Sequence, residues 1–122
     1  MFTSFLFELN QSKKYFISNQ LTTRNRYEPT LIDTHTGDKI EWIQIECGVG
    51  CHTVGLTKNG EVFSWGDNTD GQLGHGDKKE RSVPTKVTAL DGIVIIKISC
   101  GRYHTAAISD KGELLTWYVR SW

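Results

Sequence analysis

The sequence predicts an all-β fold, and three features of the 122-residue chain support this class. Short runs rich in β-branched and aromatic residues alternate with glycine-bearing turns. No window shows the sustained 3.6-residue period of an amphipathic helix. A stretch of about fifty residues also occurs twice, and a period of that length is typical of repeat architectures.

The two copies of the repeat begin at Ile40 and Ile93 and align residue by residue. Residues present in both copies are expected to serve folding, because a chemical step needs its group only once. The matched pairs are Ile43 and Ile96, Ile45 and Ile98, Cys47 and Cys100, Gly48 and Gly101, His52 and His104, Thr53 and Thr105, Gly60 and Gly112, Glu61 and Glu113, and Trp65 and Trp117.

The repeats predict short strands joined by tight turns. Gly60 and Gly112 can take the positive φ that a hairpin requires, and Pro84 suits the start of an edge strand because it lacks a ladder donor. Four short strands in about fifty residues are the layout of a propeller blade, so we predict a partial β-propeller of about two four-stranded antiparallel blades. The predicted strands are residues 39–46, 52–57, 61–65 and 85–89 in the first copy, and 93–99, 104–109 and 113–118 in the second.

Two parts of the chain are distinguished by the repeat. Residues 24–122 hold about two blades, of which the last is incomplete, and residues 24–30 echo residues 79–85. Residues 1–23 are predicted to be a degenerate or poorly ordered N-terminal segment, in which the apolar runs at 5–9 and 15–18 form a worn hairpin at best.

Composition narrows the classes of partner and compartment. The chain has 14 Lys and Arg and 14 Asp and Glu, which argues against direct nucleic-acid binding and against attraction to anionic membranes. No signal peptide or membrane-spanning run is apparent. The 3 cysteines are an odd number and two of them are repeat-equivalent, which favours free thiols in a reducing compartment. We therefore expect a cytoplasmic or nuclear protein.

A known repeat accounts for these strings of residues. The string SWGDNTDGQLGHGD, preceded by CGVGCHTVGLTKNGEVF and followed by PTKV, resembles the repeat of the regulator of chromosome condensation family, as does SCGRYHTAAISDKGELLTW. The resemblance covers residues 24–117 and implies a seven-bladed propeller in full-length relatives. The chain departs from the family at residues 48–52, where an extra residue predicts a bulge, and after Trp117, where the last repeat breaks off. Two blades are also fewer than stacked repeats normally need, so we interpret the chain as a fragment or a truncated member.

Sites for catalysis, metals or nucleotides are not predicted. Residues 71–76 have the spacing of a phosphate-binding loop, but Asp77 occupies the lysine position. Residues 67–71 resemble the start of a calcium loop, but the glycine is fifth instead of sixth, and Lys78 stands where the closing glutamate should be. Cys47 and Cys100 occupy the same place in two blades and need not converge on zinc. No catalytic triad is identifiable, so we expect neither enzymatic activity nor a cofactor.

The repeated polar and aromatic residues are predicted to hold the fold together. Trp65 and Trp117 end equivalent strands and should pack against the next blade. His52 and His104 are predicted to be half-buried histidines that hydrogen-bond the repeat together. Residues 67–68, an Asp-Asn pair, are expected to bond their own turn backbone.

Loop residues without a second copy are the candidates for contact with a protein partner. Loops on a rigid scaffold are where binding residues collect, and arginine and tyrosine are enriched at interface hot spots. The candidate partner-binding residues are His75, Asp77, Lys78, Lys79, Arg81, Arg102 and Tyr103.

Three functions follow as alternatives. The first is a non-catalytic repeat module that mediates protein–protein interaction. The resemblance implies a second, part of a guanine nucleotide exchange factor for a Ran-like small GTPase, which would act by binding the nucleotide-free GTPase preferentially. It also implies a third, an accessory propeller segment of a larger protein such as a ubiquitin ligase. If the reading frame ended at Trp122, the strand at residues 113–118 would keep an open edge, and self-association through that edge is expected.

Overall fold

A computed structural model describes residues 39–118, Ile32, and the segments Leu6–Leu9 and Lys14–Ile17. The segments Leu6–Leu9 (β1) and Lys14–Ile17 (β2) pair antiparallel, so the two apolar runs near the N-terminus form a hairpin. The predicted echo at residues 24–30 lies outside the described residues.

The first copy of the repeat forms a four-stranded antiparallel sheet, the first blade, in which each strand pairs with the next one along the chain. Three of its strands agree with the sequence prediction apart from a few terminal residues. The strands are β3 (Trp42–Cys47), β4 (His52–Thr57), β5 (Val62–Gly66) and β6 (Arg81–Lys86).

The fourth strand begins and ends earlier in the chain than predicted. The strand was expected at residues 85–89, whereas β6 occupies Arg81–Lys86 and Thr88–Leu90 forms a short 3₁₀ turn. Pro84 therefore lies inside the strand rather than at its start. The strand tolerates Pro84 because β6 is at the sheet edge and its pairing with β5 shifts register next to Ser64.

The second copy forms a three-stranded antiparallel sheet, the second blade, that reproduces the first three strands of the first blade. Its strands are β7 (Ile95–Cys100), β8 (Thr105–Ser109) and β9 (Leu114–Trp117). Even the irregularities repeat, since the register shifts between Trp42 and Gln44 in the first blade and between Ile95 and Lys97 in the second. The predicted partial β-propeller is confirmed, with four strands in the first sheet and three described strands in the second.

The loops that join alternate strand pairs emerge at one end of the blades. Because neighbouring strands are antiparallel, residues 48–51 and 67–80 leave the first sheet at the same end, and residues 101–104 lie beside them through a bond from Gly50 N to Arg102 O of 2.8 Å. We call this end, formed by the three segments, the loop face. Within the first segment Cys51 has a φ of 60°, an uncommon value for a residue with a side chain, at the turn that carries the extra residue.

The two blades pack against each other around one apolar core. Both sheets and the connection between them contribute, and every core side chain is buried. The core residues are Val54, Leu56 and Val62 of the first blade, Val87 and Leu90 of the connection, and Ile95, Ile98 and Ala107 of the second blade. Removing these side chains from water is the main term that holds the blades together.

A second apolar cluster lies on the other side of the first blade. Trp42, Phe63 and Trp65 form it, with the rings of Trp42 and Phe63 edge to face at 5.5 Å between centroids. Gly55 makes room for Trp42, since a Cβ there would lie 2.4 Å from the indole. Among the described residues no helix is long and apolar enough to cross a bilayer.

Candidate functional site

The backbone carbonyl of Gln72, in the loop face, bonds two side chains that lie on strands of the second blade. This carbonyl accepts hydrogen bonds from Trp117 Nε1 and from Thr105 Oγ1, each at 2.9 Å. The hydroxyl of Thr105 also lies 3.3 Å from His52 Nε2. Trp65 and Trp117 were predicted to pack against the next blade, and this was wrong: Trp117 contacts the preceding blade, and Trp65 packs with Trp42 and Phe63 of its own blade.

The two repeat-equivalent histidines differ in environment, so the prediction that both are half-buried was wrong. His52 lies between the blades with 0% exposure, and its burial lowers its pKa to about 4, which leaves the ring neutral. His104 is exposed. The two exposures differ because the second blade covers His52, whereas no described blade covers His104.

The long segment of the loop face, residues 67–80, is held by Asn68. Its Nδ2 donates to Asp77 O at 3.0 Å and to Lys79 O at 2.9 Å, while Oδ1 accepts from Leu73 N at 3.0 Å. Asn68 was expected to bond only the backbone of its own turn, and this longer bridge was not predicted. The segment occurs once in the sequence, so no second copy could be compared with it. The sequence therefore does not indicate which distant carbonyls the Asn68 amide bonds.

Three of the predicted partner-binding residues have partners in the loop or in the strands that flank it. His75 Nε2 lies 3.0 Å from Ser64 Oγ, and partial burial lowers the pKa of His75. Asp77 and Arg81 form an ion pair at 2.9 Å, and the Arg81 guanidinium lowers the pKa of Asp77 to about 2. These contacts make the three side chains supports of the loop conformation.

The other four predicted residues, Lys78, Lys79, Arg102 and Tyr103, are exposed. The guanidinium of Arg102 lies over the ring of Tyr103 at 5.3 Å from the centroid, a cation–π contact. Val49, which aligns with this pair in the repeat, is 75% exposed beside them and was not in the predicted set. An apolar residue in a glycine-bearing turn, aligned with Arg102 and Tyr103, is the sequence feature that could have identified Val49.

All three segments of the loop face meet at Gly50. Its N–H donates to Arg102 O at 2.8 Å, and its carbonyl accepts from Gln72 Nε2 at 3.4 Å. A Cβ at Gly50 would lie 2.3 Å from Arg102 O, so only glycine permits this approach. The structure therefore brings the predicted loop residues to one end of the molecule and fixes the Arg102 backbone there.

Within residues 39–118 and the other described segments, no group of three or more His, Cys, Asp and Glu is placed to hold a metal ion. The cysteines are unpaired thiols, and burial raises the pKa of Cys100 to about 12, which keeps that thiol protonated and unreactive.

Comparison with known proteins agrees with this architecture. The regulator of chromosome condensation (RCC1) repeat matches residues 59–108, and a second profile of the same repeat matches residues 42–72. The chain is 46% identical over 74 residues to the ultraviolet-B receptor UVR8 of Arabidopsis thaliana, covering 61% of this chain and 17% of the receptor. It is 35% identical over 89 residues to the human E3 ubiquitin-protein ligase HERC2, covering 73% of this chain and 2% of the ligase.

A solved structure shows the same arrangement of strands. The crystal structure of Prp20p from Saccharomyces cerevisiae, described with its binding properties to Gsp1p and histones, superposes with a TM-score of 0.67 at 27% identity. The superposition covers 91% of this chain and 27% of Prp20p, so the chain spans only a small part of each of these relatives. With its repeats, strand order and neighbours in agreement, the chain belongs to the regulator of chromosome condensation (RCC1) repeat family and forms part of a β-propeller.

Proposed function

We propose that the chain is a non-catalytic protein-interaction module whose partner contacts the loop face. The observation that carries this proposal is the exposed pair Arg102 and Tyr103, stacked at 5.3 Å on a backbone fixed by Gly50. No carboxylate of the described residues pairs with the Arg102 guanidinium. A charged group and a ring that are positioned before binding lose little freedom when a partner docks.

The guanidinium of Arg102 and the apolar side chain next to it favour a partner that offers a carboxylate beside an apolar group. Val49 offers an exposed apolar side chain beside the pair, and the same face carries the exposed side chains of Lys78, Lys79 and Glu80. Electrostatic complementarity of this kind raises the association rate and selects the partner more than it raises affinity.

The test compares a double variant of the loop face with a single variant at the opposite end of the molecule. Arg102→Ala with Tyr103→Ala removes the pair, and the control Lys111→Ala removes an exposed cation from the turn between β8 and β9 at the opposite end. Proteins captured from extract by the unaltered chain and by the control should be lost from the double variant. Each captured protein, once purified, should bind the double variant about tenfold or more weakly. Retention that survives the double substitution would refute a role for the loop face.

A second candidate function is part of a guanine nucleotide exchange factor for a Ran-like small GTPase. The similarity to Prp20p, which was described with its binding to Gsp1p and histones, supports this candidate. Such a factor needs no catalytic side chain, because preferential binding to the nucleotide-free GTPase weakens nucleotide affinity. Purified Gsp1p should therefore bind the chain more tightly without nucleotide than with it, and Arg102→Ala should weaken that binding. Equal affinity for the two forms of Gsp1p would reject the candidate, and binding to histones alone would assign a different partner class.

A third context is an accessory propeller segment of a larger protein. The similarity to the ligase HERC2 supports this context, in which ubiquitin transfer would belong to other segments and the loop face would recruit a protein. We place the module in the cytoplasm or nucleus, a location supported by its unpaired cysteines.

A further inference from the structure

A run of cations at the end of the loop face leads directly into an exposed serine, Ser82. Lys78 and Lys79 lie four and three positions before Ser82, and both are exposed. Neither lysine forms an ion pair with another described residue. Arg81 also precedes the serine, but its guanidinium is held by Asp77 at 2.9 Å. The two lysines are therefore the cations of this run that another protein can bind.

The hydroxyl of Ser82 takes no part in holding the fold. The residue is exposed, and its side chain bonds no other described residue. Other hydroxyls of the first blade are structural, as shown by Ser64 Oγ, which is buried and donates to Leu73 O at 2.7 Å. A reaction at the Ser82 oxygen therefore breaks no contact within the described part of the chain.

The backbone around Ser82 is extended and only partly paired. Ser82 is the second residue of β6, the last strand of the first sheet, so the outer edge of β6 pairs with no described strand. On its inner edge β6 pairs with β5 at Arg81 and at Thr85, while residues 82–84 between them lie at a shift in register. An extended segment with a free edge is a form in which other proteins bind peptide chains.

A second hydroxyl with the same sequence signal is excluded by the structure. Arg102 lies three positions before Thr105, as Lys79 lies three positions before Ser82. Thr105 is 0% exposed, and its hydroxyl donates to Gln72 O at 2.9 Å. No other serine or threonine of the described residues has a lysine or arginine at this spacing. Of the two candidates in the described chain, the fold leaves only Ser82 accessible.

We propose that Ser82 is a phosphorylation site for a protein kinase whose substrate cleft is acidic. Carboxylates of the cleft bind Lys78 and Lys79, which places the Ser82 hydroxyl at the ATP that the kinase holds with Mg²⁺. Charge patterns of this kind select among kinases, because a cleft of the wrong sign repels the segment.

The reaction transfers one phosphoryl group from ATP to the serine. Ser82 Oγ attacks the γ-phosphorus, and the new O–P bond forms as the bond from the γ-phosphorus to the β,γ-bridging oxygen breaks, so that ADP leaves. The hydroxyl proton passes to the catalytic aspartate of the kinase and then to water. The phosphoserine carries about two negative charges at pH 7, which offset the charges of Lys78 and Lys79 close by in the chain.

The test treats the folded 122-residue chain with Mg²⁺, ATP and either of two basophilic enzymes, a protein kinase C catalytic domain and a calcium/calmodulin-dependent kinase. Mass spectrometry of proteolytic fragments should place one phosphate on Ser82. Ser82→Ala should lower the incorporated phosphate about tenfold or more. It should leave the urea midpoint of unfolding unchanged, because the residue is exposed and its side chain bonds no described residue.

Substitutions in the charged run identify what the kinase recognises. Lys78→Ala with Lys79→Ala should lower kcat/KM for the chain about tenfold, because the cleft carboxylates lose their partners. Glu80→Ala should raise kcat/KM about threefold, because it removes a carboxylate that an acidic cleft repels. The control Lys111→Ala, an exposed cation in the turn between β8 and β9, should leave kcat/KM unchanged.

Several results would overturn the proposal. One is that neither kinase modifies the chain, and another is that the double lysine variant is modified as fast as the unaltered chain. A synthetic peptide of residues 74–90 that is modified while the folded chain is not would show that the fold hides Ser82. Phosphate on Thr105 in place of Ser82 would show that the kinase acts on unfolded chains, and it would overturn the proposal as well.

Discussion

Replacing Gly74 by alanine tests how tightly the loop face is joined to the second blade. Gly74 and Gly76 both have positive φ values, 79° and 77°. A Cβ at Gly74 would lie 2.8 Å from Trp117 Nε1 and 3.0 Å from its Cδ1, whereas a Cβ at Gly76 would meet nothing within 4 Å. Gly76→Ala is therefore a control with the same backbone strain and without the contact.

The expected magnitudes follow from these two environments. A left-handed backbone with a side chain costs about 1 kcal/mol, and both variants bear this cost. At Gly74 the indole of Trp117 must also move away from Gln72 O, to which it donates at 2.9 Å. Losing that hydrogen bond and the packing around it adds about 1 to 3 kcal/mol. We expect the free energy of unfolding to fall by about 2 to 4 kcal/mol for Gly74→Ala and by about 1 kcal/mol for Gly76→Ala.

Equilibrium urea unfolding followed by circular dichroism measures both variants. Repeating the pair in a Trp117→Phe background completes a double-mutant cycle, because phenylalanine has no N–H to donate to Gln72. The extra effect of Gly74→Ala should then shrink by about 1 kcal/mol. Equal destabilisation by the two glycine substitutions, or strict additivity with Trp117→Phe, would contradict the role given to this contact.

Three further predictions concern the scaffold and its pH dependence. Gly74→Val should destabilise the fold as a whole, while Arg102→Ala should leave the denaturant midpoint unchanged because its side chain contacts the exposed Tyr103 ring; the reverse ranking in matched melts would contradict the split between scaffold and contact residues. Because burial lowers the pKa of His52 from 6.5 to about 4, the unfolded chain binds the extra proton below pH 6.5. Stability is thus fully present above pH 6.5 and falls by up to about 3 kcal/mol as the pH drops to 4. His52→Asn should flatten that pH profile and leave the smaller part due to His75, and an unchanged slope would disprove the assignment. Asn68→Ala leaves the Asp77 carbonyl without this donor and the buried Leu73 N–H without its acceptor, and should lower the free energy of unfolding by about 2 to 4 kcal/mol. The control Thr69→Ala, at an exposed neighbour, should change it by less than about 0.5 kcal/mol in the same urea series, and similar losses for the two would contradict the bridging role.

The regular strands were predictable because their signals are local. Gly60 and Gly112 each stand between two β-favouring runs, which is the local signal of a hairpin. Both hairpins form, and both glycines have positive φ. The outer strand was misplaced because its register depends on pairing with β5, a contact that Pro84 alone does not reveal.

Repetition in the sequence determined which residues of this protein are equivalent, and with that the strands, the blades and the family. Tertiary structure alone decided how equivalent residues differ. His52 is buried and His104 is exposed, and Val62 is core while Leu114 faces solvent. The physical reason is that the burial of a side chain depends on which residues lie across the interface. Neither the type of the residue nor its neighbours in the sequence specify those residues. The same holds for Asn68, whose partners lie up to 11 positions away and become neighbours only when the loop closes.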